Sequence, residues 1–249
     1  MFRLDGRLAL VTGGSRGIGR AICLALAEQG AAVGINYRQE EQKAREVQKL
    51  IAGKGGRAEV LQGDVSKKAD AEAVVKQFVN AFGGIDILVN NAGIREDDLF
   101  PRMNEQRFDH VMQVNMYSVF YVTKAAVPHF IKRKWGRIIN LSSLAPFVGS
   151  PGQSNYSASK MAVVGFSHSL ARELAPKNIT VNVISPGIIE TDFTKELMER
   201  FVDIVKASIP MGRFGKPDEV TGAVVYLASE EASFVTGATI HVNGGGYMT

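Results

Sequence analysis

The sequence holds one cysteine, one tryptophan and four histidines in 249 residues, and each scarcity closes off a class of protein. A lone thiol, Cys23, cannot form an internal disulfide, so a disulfide-stapled scaffold is excluded. It sits on the apolar face of the first predicted helix, where it serves as core filler. The histidines His110, His129, His168 and His241 are scattered without ligand spacing, which argues against a metal site. No uninterrupted apolar run reaches about 18 residues, so no membrane-spanning helix is expected. The opening MFRLDGRLAL lacks the apolar centre of a secretory signal, and a cytoplasmic location is the expectation. There is no internal repeat, no low-complexity tract and no Pro/Gly/Ser-rich linker, so residues 1–249 read as one domain. The net charge of +4 is a small excess that favours acidic partners or phosphorylated ligands, and no nucleic-acid motif accompanies it.

What is present centres on Leu8 to Gly30, LALVTGGSRGIGRAICLALAEQG. Leu8 to Val11 form a continuously apolar run, the mark of a parallel strand buried on both faces. A glycine-dense turn follows and opens a helix. Gly13, Gly17 and Gly19 stand where side chains would block close approach, and a helix N-terminus offers free N–H groups and a positive dipole end. A pyrophosphate fits there; a plain tight connection between strand and helix uses the same residues. The spacing is G-x-x-x-G-x-G, which differs from the commonest dinucleotide fingerprint, G-x-G-x-x-G.

Strands and helices then alternate. The pattern predicts strands at 32–37, 57–62, 85–90, 137–141, 179–185 and 238–242, with helices at 40–54, 69–82, about 104–134, 156–175 and 217–229. Such alternation means βαβ units on a parallel sheet, an α/β, Rossmann-type doubly wound fold with helices on both faces. Residues 188–216 read as a variable region with one or two helices, given an apolar face by Met198, Phe201, Val202, Val205 and Ile209.

Ligands of these folds bind at the carboxyl ends of the strands. Thr12–Gly19, Arg38, Asp64-Val65 and Asn91-Ala92-Gly93 each follow a strand and are expected on one edge. An acid at the end of the second strand would bind a ribose 2′-hydroxyl, whereas an arginine accommodates a 2′-phosphate. Asn36, Tyr37 and Arg38 include no acid, and Arg16 could reach the same phosphate, which favours NADP(H) over NAD(H). Two solvated arginines are the alternative. Asn115 interrupts an apolar helix face and is either a helix–backbone bridge or part of a site. The run Lys132-Arg133-Lys134 suits a helix C-terminus.

Tyr156 and Lys160 lie one helical turn apart on one face, a Y-x-x-x-K pattern that is weak alone. In company it is not. TGGSRGIG at 12–19, NNAG at 90–93, Asn115, Ser143, YSASK at 156–160 and PG at 186–187 together closely resemble the short-chain dehydrogenase/reductase family, over essentially the whole chain. The resemblance implies a seven-stranded parallel sheet, a nicotinamide cofactor and a catalytic group of Asn115, Ser143, Tyr156 and Lys160. It implies cofactor contacts from Gly13, Ser15, Arg16, Gly17, Ile18, Gly19, Arg38, Asp64, Val65, Asn91, Ala92, Gly93, Tyr156, Lys160, Pro186, Gly187, Ile189 and Thr191. Tyr156 would give a proton to a carbonyl oxygen, with the Lys160 ammonium lowering the phenol's pKa. Ser143 would orient that oxygen. Asn115 would hold a water beside the lysine, and Thr191 would fix the carboxamide.

Further stretches, GIREDDLFPRM at 93–103, PGQSNYSASK at 151–160, PGIIETDFT at 186–194, PMGRFGKPDEV at 210–220 and HVNGGGYM at 241–248, resemble the branch of that family that reduces 3-oxoacyl thioesters on acyl carrier protein in fatty-acid synthesis. This implies a 3-oxoacyl thioester substrate, an acidic carrier protein met by Lys134 and Lys177 beside the active-site mouth, and a homotetramer. A reductase of acetoacetyl-CoA or another small ketone is the alternative, and an NADP(H)-sensing protein without turnover a second.

Overall fold

The structure, a computed structural model, describes residues 2–195 and 207–248. Seven strands form one sheet: β1 (Leu8–Val11), β2 (Ala32–Tyr37), β3 (Ala58–Gln62), β4 (Ile87–Asn90), β5 (Gly136–Leu141), β6 (Ile179–Pro186) and β7 (Thr239–Val242). Every pairing is parallel, in the order β3-β2-β1-β4-β5-β6-β7. The chain winds outward from β1 to β3, then returns to the other side of β1. That reversal opens the crevice in which such sheets bind ligands.

The strands are apolar because both faces are covered. On one face α1 (Gly17–Glu28) and α8 (Pro217–Ala228) pack Ile22, Leu26, Val220 and Val224 against Val11, Val33 and Ile139. On the other, α3 (Lys68–Phe82), α5 (Ser118–Arg133) and α7 (Ser154–Leu174) bring Phe78, Val122, Phe130 and Leu174 onto Leu10, Leu88 and Ile138. Each fully buried side chain of this size stabilises by about 1.5–3 kcal/mol relative to exposure.

Buried polar groups tie the second layer to the sheet. Asn90 donates through Nδ2 to Thr123 Oγ1 on α5 at 3.0 Å and to Asn140 Oδ1 on β5 at 2.8 Å. Asn140 donates in turn to Ser167 Oγ on α7 at 2.8 Å. Polar groups this deep must be paired, so the ladder fixes the register of both helices on the sheet.

Two expectations change. β4 begins at Ile87 rather than Ile85; just before it, the buried Asp86 accepts the Leu8 N–H with Oδ2 at 3.0 Å and pairs Oδ1 with the Arg133 guanidinium at 2.8 Å. Arg133 therefore does more than complement a helix dipole. The long helix is continuous in path but divided: α4 (Glu105–Met112) passes through a π turn at Gln113–Tyr117 into α5. The widened turn carries Asn115, as π turns often do at sites. Met198, Phe201, Val202 and Val205 lie outside the described residues; Ile209 is buried. The flanks of that stretch are joined by a bridge between Ile189 and Gly215, and Arg213 ties the second flank to α8 through both Glu219 oxygens at 2.8 and 2.6 Å.

Candidate active site

The turn after β1 packs bare backbone closely against its neighbours. Gly13 and Gly17 have φ of +63° and +54°, a region that favours glycine. A Cβ on Gly19 would stand 2.1 Å from the Gly13 carbonyl oxygen and 2.5 Å from Asn91 Nδ2. Asn91 donates through that nitrogen to the Thr12 and Gly13 carbonyls at 3.0 and 3.1 Å, while Thr12 Oγ1 accepts from the Asn91 and Ala92 N–H groups at 3.0 and 3.1 Å. Asn36, buried at the end of β2, accepts from Gly13 N–H at 3.3 Å. Helix α1 starts at Gly17 with no side-chain cap and no acid in its first turn. Its N–H groups and dipole are thus free for an anion. Thr12, expected on this edge with the rest of 12–19, and Asn36, which sequence reasoning missed as a site residue, hold the turn. The signal was there in Asn36, a polar residue inside an otherwise apolar strand.

At the ends of β2 and β3 a hollow of about 590 Å³ is lined by Arg38, Gln62, Asp64, Lys67 and their neighbours. Arg38 and Arg16 are exposed beside it, with Arg16 Nη1 4.0 Å from Glu40. Such an exposed pair is weak and readily displaced by a stronger anion. Asp64 accepts from Ser66 Oγ at 2.6 Å, and Val65 is buried against α3.

At the ends of β4, β5 and β6 the second half of the site assembles. Asn115 Oδ1 accepts from the Ile94 N–H at 2.8 Å, and its Nδ2 donates to the Ile94 carbonyl and to Ser159 Oγ, each at 3.0 Å. It is the helix–backbone bridge, and it also stands at the site: a Cβ on Gly93 would lie 3.2 Å from Asn115 Oδ1 and 3.4 Å from Lys160 Nζ. Pro186 accepts the Leu144 N–H at 2.9 Å, tying the loop after β5 to the end of β6. A Cβ on Gly187 would meet Asn243 Cα at 2.8 Å. Ile189 is buried, and the Thr191 methyl reaches the glycine turn, 3.3 Å from where a Gly17 Cβ would be. Thr194, which sequence reasoning also missed, is buried there and bonds the Ile189 carbonyl.

Ser143, just past β5, accepts the Ala145 N–H at 3.2 Å, which leaves its own hydroxyl hydrogen to point elsewhere. The phenol of Tyr156, in the first turn of α7, lies near enough for Ser143 to act on its ionisation. Burial pushes the phenol's pKa up; Ser143 and the Arg95 guanidinium oppose that, and Asp97 adds to it. Lys160 is 5% exposed, donates to the Leu141 carbonyl at 2.9 Å and lies 5.9 Å from the Tyr156 ring centre. Burial pulls its pKa down to about 8. Burial sets the direction here, raising the phenol's pKa, with Ser143 and the Arg95 guanidinium acting against it. Desolvation acts on both groups and penalises each one's charged form.

Lys160 gives the protein a pH signature. A lysine with a lowered folded pKa costs stability while charged, so its penalty stands in full below about pH 8 and fades as pH rises toward the unfolded value near 10.4. Urea melts of the wild type and of Lys160→Met should show the wild type gaining on the variant across that window. A constant difference would contradict the burial argument.

Lys134 and Lys177 are both exposed, and the Asn178 side chain bonds the Lys134 carbonyl at 3.1 Å. They directly precede β5 and β6, whereas Ser143 and Gly187 follow those strands. Within one chain they lie at the opposite end of the sheet from Tyr156, not beside the mouth. Among the described residues no group of three His, Cys, Asp or Glu could hold a metal, and no helix is long and apolar enough to cross a membrane.

Comparison with known proteins agrees with this geometry. A family model described as enoyl-(acyl carrier protein) reductase matches residues 13–247. The chain is 45% identical over 240 residues to the 3-oxoacyl-[acyl-carrier-protein] reductase FabG of Staphylococcus aureus, covering 96% of this chain and 98% of that one. It is 46% identical over 245 residues to the FabG of Vibrio cholerae, with 98% and 99% covered. To that of Aquifex aeolicus it is 46% identical over 244 residues, with 98% of each covered. A crystal structure of a putative short-chain alcohol dehydrogenase from Sinorhizobium meliloti superposes with a TM-score of 0.94 at 38% identity, covering 98% of this chain and 97% of that one. With its glycine turn, its Ser-Tyr-Lys group and relatives matched from end to end, the chain belongs to the short-chain dehydrogenase/reductase family.

Proposed function

We propose that this protein reduces the 3-oxo group of an acyl thioester on acyl carrier protein to the 3-hydroxy form, using NADPH, in the cytoplasm. One observation carries the reading: a buried phenol beside a serine, with a lysine one turn along, at the same strand edge as an uncapped helix start. The relatives' shared activity supports the substrate class. The enoyl description of the matching family model concerns the same kind of carrier-bound thioester, and near-full-length identity to 3-oxoacyl reductases favours the C=O over the C=C bond.

The uncapped start of α1, reached through the positive-φ glycines Gly13 and Gly17, fits a dinucleotide pyrophosphate. Gly13, Ser15, Gly17, Ile18 and Gly19 would hold it, with Asp64 and Val65 toward the adenine end. Asn91, Ala92 and Gly93 would line the middle, and Pro186, Gly187, Ile189 and Thr191 the nicotinamide end. The bound cofactor supplies a hydride to the carbonyl carbon. As charge develops on the oxygen, Tyr156 donates its phenolic proton and Ser143 donates a hydrogen bond. Ala145 N–H occupies one lone pair of the serine oxygen, which leaves the serine's own hydrogen free to be donated to the substrate oxygen. Lys160, anchored on Leu141, offers its ammonium to a ribose hydroxyl and to the proton path that recharges the phenol. Asn115 keeps the Ile94 backbone, and so Gly93, in place beside that lysine.

Arg16 and Arg38 would bind the 2′-phosphate. Arg38→Asp should shrink the preference for NADPH over NADH by about tenfold to a hundredfold, the worth of a charge-assisted bond. Ratios of kcat/KM for the two cofactors test this; an unchanged ratio assigns the phosphate elsewhere.

Exposed apolar residues on α5 and α7, Phe120 and Met161 among them, together with Tyr117 and the exposed Phe234 before β7, support assembly as a homotetramer. In that assembly Lys134 and Lys177 would meet the acidic carrier at a neighbouring copy's mouth. NADPH oxidation assayed with acetoacetyl-carrier protein, acetoacetyl-CoA and simple ketones decides the substrate. Highest kcat/KM on the carrier-bound thioester is expected; preference for a free ketone, or no turnover at all, overturns the reading.

A further inference from the structure

The loop after β4 puts a second cation near the phenol. Arg95 follows Ile94, whose backbone is held on both sides by Asn115, so its starting point is fixed relative to the site. Its side chain is only 19% exposed, an unusual setting for a charge that has no interior to stabilise. The guanidinium carbon stands 5.3 Å from the centre of the Phe193 ring, and Phe193 lies 6.2 Å, centre to centre, from the Tyr156 ring. Arg95 Nε pairs with Asp97 Oδ2 at 3.1 Å, and the same oxygen accepts from Gln153 Nε2 at 2.9 Å, one residue before α7. Arginine, the half-exposed aromatic ring and the phenol thus form a chain of contacts, the two rings tilted by 46°, that joins the loops after β4 and β6 over the start of α7.

We propose that Arg95 is a positioning residue for the proton transfer: set over Phe193 and steered by Asp97, its guanidinium holds that ring against Tyr156 and brings a fixed positive charge to the phenol. The inference rests on Tyr156 being the proton donor, as proposed above. The groups that face the phenol are Ser143 from the loop after β5, Lys160 one turn along α7, Arg95 and Asp97 from the loop after β4, and the uncharged Phe193. Of the two cations, Lys160 loses its proton near pH 8, whereas a guanidinium stays charged throughout the working range. Arg95 favours the phenolate and Asp97 disfavours it, so the pair acts as opposed charges at unequal leverage. A planar guanidinium also suits the face of an aromatic ring better than an ammonium does.

The test is a spectrophotometric titration of the phenol in the purified full-length protein, read as the difference between each variant and the same variant carrying Tyr156→Phe. Arg95→Gln should move the midpoint up, Asp97→Asn should move it down, and Arg95→Lys should restore it toward wild type. With substrate, Arg95→Gln should lower kcat about threefold to tenfold, because the phenol becomes a weaker acid, and leave the KM for NADPH unchanged. A midpoint that does not move in either Arg95→Gln or Asp97→Asn overturns the proposal. Should Arg95→Gln fail to fold, Asp97→Asn decides alone, and an unmoved midpoint there counts against it. The titration needs no substrate, so a wrong substrate assignment fails in the turnover assay and leaves this result readable.

Discussion

Tyr156→Phe should abolish turnover while leaving the cofactor site intact, with kcat falling on the order of 10²- to 10⁴-fold, the usual worth of a general acid. The substitution removes one oxygen and little else. The ring keeps its place in the first turn of α7 and its packing against Phe193 at 6.2 Å. Burial of the hydroxyl is already unfavourable to its ionised form, so its loss leaves no unpaired charge behind. Ser143 keeps the Ala145 N–H. Fluorescence titration with NADPH should give a Kd within about threefold of wild type, since none of the glycine-turn contacts change. Stability should hold within about 1 kcal/mol, because a buried hydroxyl's polar interactions and its desolvation nearly offset. Loss of cofactor binding instead would mean that Tyr156 is structural and that the proton comes from elsewhere.

Gly19→Ala should damage binding and folding together. Its Cβ would lie 2.1 Å from the Gly13 carbonyl oxygen and 2.5 Å from Asn91 Nδ2. Neither neighbour is the loose end of a flexible chain: one is backbone, and the other is held by two carbonyls at 3.0 and 3.1 Å. Relief requires the turn to open, which costs about 1–3 kcal/mol of overpacking and breaks the lacing between β1 and β4. NADPH affinity should drop at least about a hundredfold, since the N–H groups aimed at the pyrophosphate lose their common direction. Gly53→Ala is the control. Nothing lies within 4 Å of its added methyl at the end of α2 (Glu41–Gly53), and it should stabilise slightly through helix propensity. Thermal melts and NADPH titrations of the two variants should diverge. Equal behaviour would show that the cradle is an ordinary turn.

The sequence was most legible where one physical cause dominates. β1 and β2 match the expected limits, 8–11 and 32–37, because a strand covered on both faces is apolar along its length and is cut off by glycine or charge. The order of site loops followed from the same topology, since every loop that ends a parallel strand comes to one edge. What escaped depended on partners distant in sequence. Asp86 reads as part of a strand until Arg133, on another element, is known to sit against it. The π turn has no local signature; it becomes visible only once Asn115 is seen bonded to Ile94.

Burial was the other hidden quantity. The Y-x-x-x-K spacing places Tyr156 and Lys160 together, but it does not reveal that both are desolvated. Burial raises the phenol's pKa and lowers the lysine's, an influence the spacing alone does not carry. Lys134 and Lys177 show the limit of resemblance. It gave their positions along the chain, whereas the parallel sheet puts the starts of β5 and β6 at the far edge from the phenol. Arg95 gave no signal either, because a contact with Phe193 spans about a hundred residues of sequence.

The central claim is that the phenol, the serine and the cofactor cradle serve a single carbonyl oxygen. A crystal structure with NADP⁺ and a 3-hydroxyacyl pantetheine bound tests it most directly. The predicted result is a product hydroxyl within about 3 Å of both Tyr156 Oη and Ser143 Oγ, with the pyrophosphate on the N–H groups that open α1. A product oxygen out of reach of both hydroxyls, or a pyrophosphate seated away from Gly17–Gly19, would contradict it.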